Sequence, residues 1–228
     1  MRVGFVGTGE IAAAMVNGLA GQGHEIWVSS RNAATAQKLT ETVPGVHIGE
    51  NAEVVGRSDV VFLCLMADVA RRVLPGLEFR ADQAVISVMV DVALDEVSHL
   101  CTPASDISVT IPLSAVATGG SMLPVFPGST ALDRLFGARN TVVTVTSEAA
   151  LNAHFAGSAL SAPLIALMQT GARWLAQQTG DAQAAEAYVA GVFAGFLRQM
   201  SEQDADFETL LGTLATEGGL NASLKTHM

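Results

Sequence analysis

The sequence predicts an α/β fold: a doubly wound sheet over the first two-thirds of the chain, then an all-helical C-terminal region. Three observations predict it. Short apolar strand runs alternate with helical spacing up to about residue 147, a glycine-rich turn closes the first of these strands, and no strand signal follows residue 147. The expected domains are therefore 1–147 and 148–228. Composition agrees. Of 228 residues, 50% are hydrophobic but only 5% aromatic, so Ala, Val and Leu dominate, as suits helices and strands buried on both faces.

The elements follow in order. Arg2 to Val6 is a β-rich run ending at Gly7, and Ile11 to Leu19 has helical spacing that Gly21 and Gly23 stop. Glu25 to Ser29 is a second strand, Ala33 to Thr42 a helix, Val46 to Ile48 a third strand, and Ala52 to Gly56 a brief helical turn. Asp59 to Leu65 and Ala84 to Val90 are continuous apolar runs, the pattern of parallel strands covered on both sides. Asp68 to Leu74 and Leu94 to Cys101 are helical. Ile107 to Ile111, Ser121 to Phe126 and Thr141 to Val145 are strands, with a helix at Ala131 to Phe136. Leu160 to Gln178, Asp181 to Met200 and Asp204 to Thr216 are expected helices. Val189, Val192, Phe193, Phe196, Leu197 and Met200 form a wide apolar stripe on the second. A helical domain of this size is marginal alone, so a homodimer through these helices is expected.

Composition also excludes classes. A disordered chain needs fewer apolar and more charged residues. With 12 basic and 22 acidic side chains and a net charge of −10, a basic nucleic-acid surface is not expected. Two cysteines make no disulfide scaffold and suit a reduced, cytoplasmic setting. No membrane segment is expected, because Pro163, Gln169, Gly171 and Arg173 interrupt the most apolar late stretch. No histidine, cysteine or carboxylate spacing suggests a metal.

The strongest chemical signal is Gly7-Thr8-Gly9-Glu10-Ile11-Ala12, a G-x-G-x-x-A string placed between a strand and a helix. The first glycine makes a tight turn, and the second lets a pyrophosphate reach the backbone. The small third residue packs helix on strand, and the helix N-terminus offers free N–H groups to an anion. This is the Rossmann signature of dinucleotide binding. Beyond the second strand the chain reads Ser29-Ser30-Arg31-Asn32, without the acid that usually holds the ribose of NAD. Ser30 and Arg31 can instead hold the 2′-phosphate of NADP, with a solvated sheet edge as the alternative role of Arg31.

These residues carry a resemblance. Val3 to Ala12, Val28 to Arg31, Ser58 to Leu65 and Val85 to Val88 resemble segments of the pyrroline-5-carboxylate reductases. Ser161-Ala162-Pro163 and Thr216-Glu217-Gly218-Gly219-Leu220-Asn221 are similar to that family's Ser-Gly-Pro and Ser-Pro-Gly-Gly-Thr-Thr segments. The resemblance implies a Rossmann domain holding NADPH, a helical domain interlocking with its twin, and a small-molecule imine reduced in the cleft between nicotinamide and helices. It places Leu65, Met66 and Ala67 along the nicotinamide-ribose side.

The substrate end departs from the family. Met66-Ala67 replaces Lys-Pro, Thr110-Ile111-Pro112-Leu113 keeps only the Pro of Met-Pro-Asn, and Leu220-Asn221 replaces two threonines. These changes suit a small carboxylated ring less well and point to another imine or carbonyl compound. Three catalytic candidates remain, each with a structural alternative. Asn221 binds substrate or caps a helix, Ser161 faces the cleft or caps its own helix, and Asp91 acts on substrate or caps the next helix. His154 reads as a surface residue. Lys38 and Lys225 are the only lysines, and neither is placed for the lysine chemistry of β-hydroxyacid dehydrogenases. The alternatives are an oxidoreductase exchanging hydride between NADP and coenzyme F420, and a non-catalytic NADPH-binding paralogue.

Overall fold

The computed structural model describes residues 1–202, 206–215, 219 and 221–223. They form two compact units, Met1–Gly157 and Ser158–Met228. In the first unit the strands are β1 (Arg2–Val6), β2 (Glu25–Ser29), β3 (Val46–Gly49), β4 (Val60–Leu63), β5 (Ala84–Ser87), β6 (Asp106–Thr110), β7 (Met122–Phe126) and β8 (Thr141–Thr144). The helices are α1 (Glu10–Gly18), α2 (Ala33–Thr42), α3 (Asn51–Arg57), α4 (Ala67–Val73), α5 (Leu94–Leu100), α6 (Thr130–Phe136) and α7 (Glu148–Ser158). The sheet order is β3-β2-β1-β4-β5-β6-β7-β8, and every pair is parallel except β6 with β7. Strand order reverses between β1 and β4, so the carboxyl ends of these two strands flank the crevice where open α/β sheets bind ligands.

Alternation along the central strands builds two cores. Val3 and Phe5, Val60 and Phe62, and Ala84 and Ile86 face one side; Val6, Val61, Leu63 and Val85 face the other. Phe62 ties the first core together, stacking on Phe5 at 4.9 Å and meeting Phe136 of α6 edge-on at 6.0 Å. The expected strand over Ala84 to Val90 stops at Ser87. The buried Ser87 Oγ accepts the Met89 N–H at 3.1 Å, which turns the chain instead of extending the ladder. α7 was not expected from the sequence. Ser147 caps its first turn through Ala150 N–H, and Glu148 reaches back to accept the Leu94 N–H at 2.9 Å, capping α5 as well. By packing, α7 therefore counts with the sheet.

The second unit contains α8 (Ser161–Thr179), α9 (Ala182–Glu202) and α10 (Phe207–Leu214). Gly180 ends α8 in the left-handed region at φ +77°, and Asp181 then caps α9 by accepting the Ala184 N–H. Asp206 caps α10 through Thr209 N–H. The ends of the third expected helix, Asp204 and Thr216, lie outside the described residues, as do Glu217, Gly218 and Leu220. Among the described residues of this unit only Ala172 and Ala185 are buried hydrophobics. The α9 stripe is half-buried at Val189, Val192, Phe196 and Met200, and exposed at Phe193 and Leu197. Within Glu148–Thr179 an 18-residue window reaches a mean hydropathy of 1.3, enough by length and composition alone to cross a membrane.

Candidate dinucleotide site and the adjoining cavity

The Gly-rich turn is held from beneath by Ser29, the last residue of β2. Its buried Oγ accepts the Gly7 N–H at 2.8 Å, and Thr8 Oγ1 donates to the Ser29 carbonyl oxygen at 2.7 Å. The Thr8 hydroxyl thus faces inward, and only its backbone is available to a ligand. Gly7 is required twice over. Its φ is +98°, and a Cβ would stand 2.2 Å from the Cys64 carbonyl oxygen. Gly9 differs. Its φ is −90°, and nothing lies within 4 Å of where a Cβ would stand. The fold itself does not demand glycine at position 9, whereas close approach of a ligand to the backbone does.

Gly9 is the N-cap of α1, and no side chain caps this helix. The N–H groups of Glu10, Ile11 and Ala12 fall in the turn that lacks intrahelical acceptors, which suits a diphosphate. Ala12 is fully buried, so its small side chain lets α1 sit close on the sheet. The Glu10 carboxylate is exposed, and its charge opposes an anion; the motif uses its backbone. These features fit a dinucleotide.

At the far end of this site, Arg31 is exposed and makes no hydrogen bond or ion pair among the described residues. In the same unit Arg2, Arg57, Arg71 and Arg72 are each engaged by a carboxylate. The Ser30 hydroxyl is engaged too, donating to Glu50 Oε1 at 2.7 Å. Nothing in the local sequence singles out Glu50. The signal was the parallel register, which puts Ser29 beside Gly49 and so the next residues beside each other.

Leu65, Met66 and Ala67, at the end of β4, line a cavity of about 290 Å³ together with Val88, Met89, Val90, Asp91 and Phe155. The sequence does not point to Val88, Met89, Val90 or Phe155: the first three fall in the longer strand it predicts over Ala84 to Val90, and Phe155 falls in no predicted element. Among the described residues the lining is apolar except for Asp91, the only ionisable side chain there. Asp91 is exposed, and Arg71 Nη2 donates to its carbonyl oxygen at 3.5 Å while holding Glu96 with two hydrogen bonds. The fold thus brings Asp91 together with Leu65 to Ala67.

The other two candidates belong to the helical unit. Ser161 opens α8 and donates its hydroxyl to Ser158 O at 2.7 Å; Asn221 donates from Nδ2 to Leu214 O at 3.1 Å. Both are exposed. His154 lies on the exposed face of α7, its Nδ1 2.7 Å from Ala150 O. Among the described residues no group of His, Cys, Asp or Glu could hold a metal.

Comparison with known proteins agrees with this geometry. Residues 2–91 match the family model described as NADP oxidoreductase, coenzyme F420-dependent. No protein with a curated description matches the chain. Solved structures match over its whole length. A 1-pyrroline-5-carboxylate reductase from Streptococcus pyogenes superposes with a TM-score of 0.80 at 17% identity, covering 100% of this chain and 90% of that one. Plasmodium falciparum pyrroline carboxylate reductase with NADP bound gives 0.82 at 12% identity, covering 100% and 88%. A reductive aminase from Aspergillus terreus, in complex with NADPH and ethyl levulinate, gives 0.65 at 17% identity, covering 95% and 78%. The chain therefore has the fold of the pyrroline-5-carboxylate reductases, a Rossmann sheet followed by a helical region, with a nucleotide-domain match over residues 2–91.

Proposed function

We propose that this chain is an NADP-dependent oxidoreductase that reduces a C=N group, or a related C=O group, in a small apolar substrate. The observation that carries the reading is the pairing of two features at the sheet's switch point. One is a diphosphate cradle at Gly7 to Ala12; the other is an apolar cavity at the ends of β4 and β5. When bound, the cofactor supplies hydride to the imine carbon. The protein's own residues do the rest. Gly9 and the first turn of α1 bind the diphosphate, and Arg31 pairs with the 2′-phosphate. Leu65, Met66, Ala67, Val88 and Val90 keep water from the reacting face, which strengthens nearby charges. Asp91 steadies the positive charge of a protonated imine nitrogen. The Ser161 hydroxyl and Asn221 amide act as substrate-facing polar groups.

Among the described residues no basic side chain lines the cavity to hold a carboxylate, so uncharged or cationic imines are better candidates than a carboxylated ring. The protein works as a homodimer in the cytoplasm, a second copy covering the apolar faces of α8 and α9, with the helical unit from Ser158 onward as the dimerisation and substrate domain in place of the 148–228 expected from sequence. A second reading, hydride exchange with coenzyme F420, is favoured by the family description over residues 2–91.

A screen of cyclic imines and ketones, following NADPH absorbance with the purified full chain, tests the reading. Turnover of an uncharged imine supports it. Turnover with F420 alone supports the second reading. NADPH binding without any turnover makes the protein a non-catalytic nucleotide-binding paralogue. Arg31→Ala should weaken NADPH about tenfold or more, as expected for loss of a charge-assisted contact, and leave NADH nearly unchanged. Equal weakening of both would remove Arg31 from the 2′-phosphate site.

A further inference from the structure

We infer that Glu50 is a specificity-determining residue, one that pulls the site toward dinucleotides with a free 2′-hydroxyl and so opposes Arg31. The inference rests on the dinucleotide site proposed above.

β2 and β3 run parallel, with Ser29 opposite Gly49, and the Ser30 N–H donates to the Gly49 carbonyl oxygen at 3.1 Å. One residue further, Ser30 Oγ donates to Glu50 Oε1 at 2.7 Å. Glu50 is the N-cap of α3, yet its carboxylate makes no capping bond there. It is turned to β2 instead. The chain therefore lacks an acid at the end of β2, where a ribose-binding acid usually sits, but carries one there from the neighbouring strand.

A serine hydroxyl has one proton. A 2′-phosphate can only accept, so it needs the Ser30 proton that Glu50 now holds, and it brings negative charge toward a carboxylate. A ribose 2′-hydroxyl has a proton of its own and can donate it to Glu50, leaving the Ser30 bond intact. Arg31, exposed and without a partner among the described residues, acts in the opposite sense by favouring phosphate. Two residues with opposed preferences thus flank Ser30, and their balance sets how strongly the protein prefers NADPH to NADH.

The test is the dissociation constant of each reduced dinucleotide, measured by calorimetry with the full-length wild type, Glu50→Gln and Glu50→Ala. Glu50→Gln keeps a hydrogen-bond acceptor for Ser30 but removes the charge. It should tighten NADPH and weaken NADH, each about threefold or more, moving their ratio about tenfold. Glu50→Ala should move the ratio in the same direction. A ratio unchanged within about twofold in both variants, with thermal midpoints like the wild type, overturns the inference while leaving the dinucleotide site intact. A wild type that binds neither dinucleotide overturns the site itself, and Glu50 with it. If one variant loses its thermal transition, the other decides.

Discussion

Phe5, Phe62 and Phe136 in the sheet unit are enclosed almost completely, at 0%, 0% and 2% exposure, whereas Trp174 and Tyr188 in the helical unit stand 63% and 65% exposed. The first unit covers its apolar side chains from within: strands bury both faces, and α1, α3, α5 and α6 close over them. The second has three helices and two buried alanines among its described residues. The same apolar-rich composition thus has two physical meanings. In the sheet it marks a self-sufficient core. In the helices it leaves large apolar side chains exposed, the surface proposed to meet a second copy, where each large side chain moved out of water would contribute about 1.5–3 kcal/mol.

The largest expected effect would break the sheet unit at its tightest point. Gly7→Ala forces a side chain into φ +98° and into the Cys64 carbonyl. It should destabilise the protein by about 2–5 kcal/mol, combining left-handed strain with overpacking. Gly9→Ala has room within the chain, so its thermal midpoint should match the wild type while NADPH affinity falls about tenfold or more. Thermal denaturation beside NADPH titration separates the two glycines. Equal loss of stability would mean that Gly9 serves the fold and that the cradle reading is wrong.

How much of this was legible beforehand depended on whether the signal was local. The Gly-rich turn, the apolar runs of β4 and β5, and the helical spacing of α8 and α9 are written in consecutive residues, so the fold class could be read directly. Glu50 is 20 residues from Ser30 in sequence and meets it only through strand pairing. α7 was hidden because its caps are tertiary: Glu148 spends its carboxylate on Leu94, 54 residues away. Phe155 entered the cavity by the same route.

A somewhat smaller effect is expected where the helical unit is proposed to meet its copy. Trp174→Glu or Tyr188→Glu places a charge in the middle of an exposed apolar face. Either should weaken self-association about a hundredfold, as loss of a buried aromatic anchor does. Light scattering across a dilution series checks it. A wild type with the mass of one chain at all concentrations would remove the homodimer and leave another occupant, lipid included, for these helices. A wild-type dimer unaffected by either variant would move the interface to another face.

The smallest expected effect sharpens the claim that the sheet unit is closed. Burial pushes the thiols of Cys64 and Cys101 up to about 12, from an ordinary 9.0. Both are therefore neutral at physiological pH and poor nucleophiles. A disulfide reagent at pH 8 should leave the buried Cys101 unmodified in the native protein and modify it once the protein unfolds; fast modification of Cys101 would show that the core opens. The same shifts link stability to pH. In the unfolded chain these thiols lose their protons near pH 9, while the folded chain keeps them to about 12. Their contribution is thus complete below pH 9 and is lost progressively as pH rises from 9 toward 12. Cys101→Ala should cost about 1 kcal/mol at pH 7 through lost packing, and its deficit relative to the wild type should narrow above pH 9. A constant deficit across that window would place the Cys101 thiol in contact with water, and the core around α5 would be looser than its burial implies.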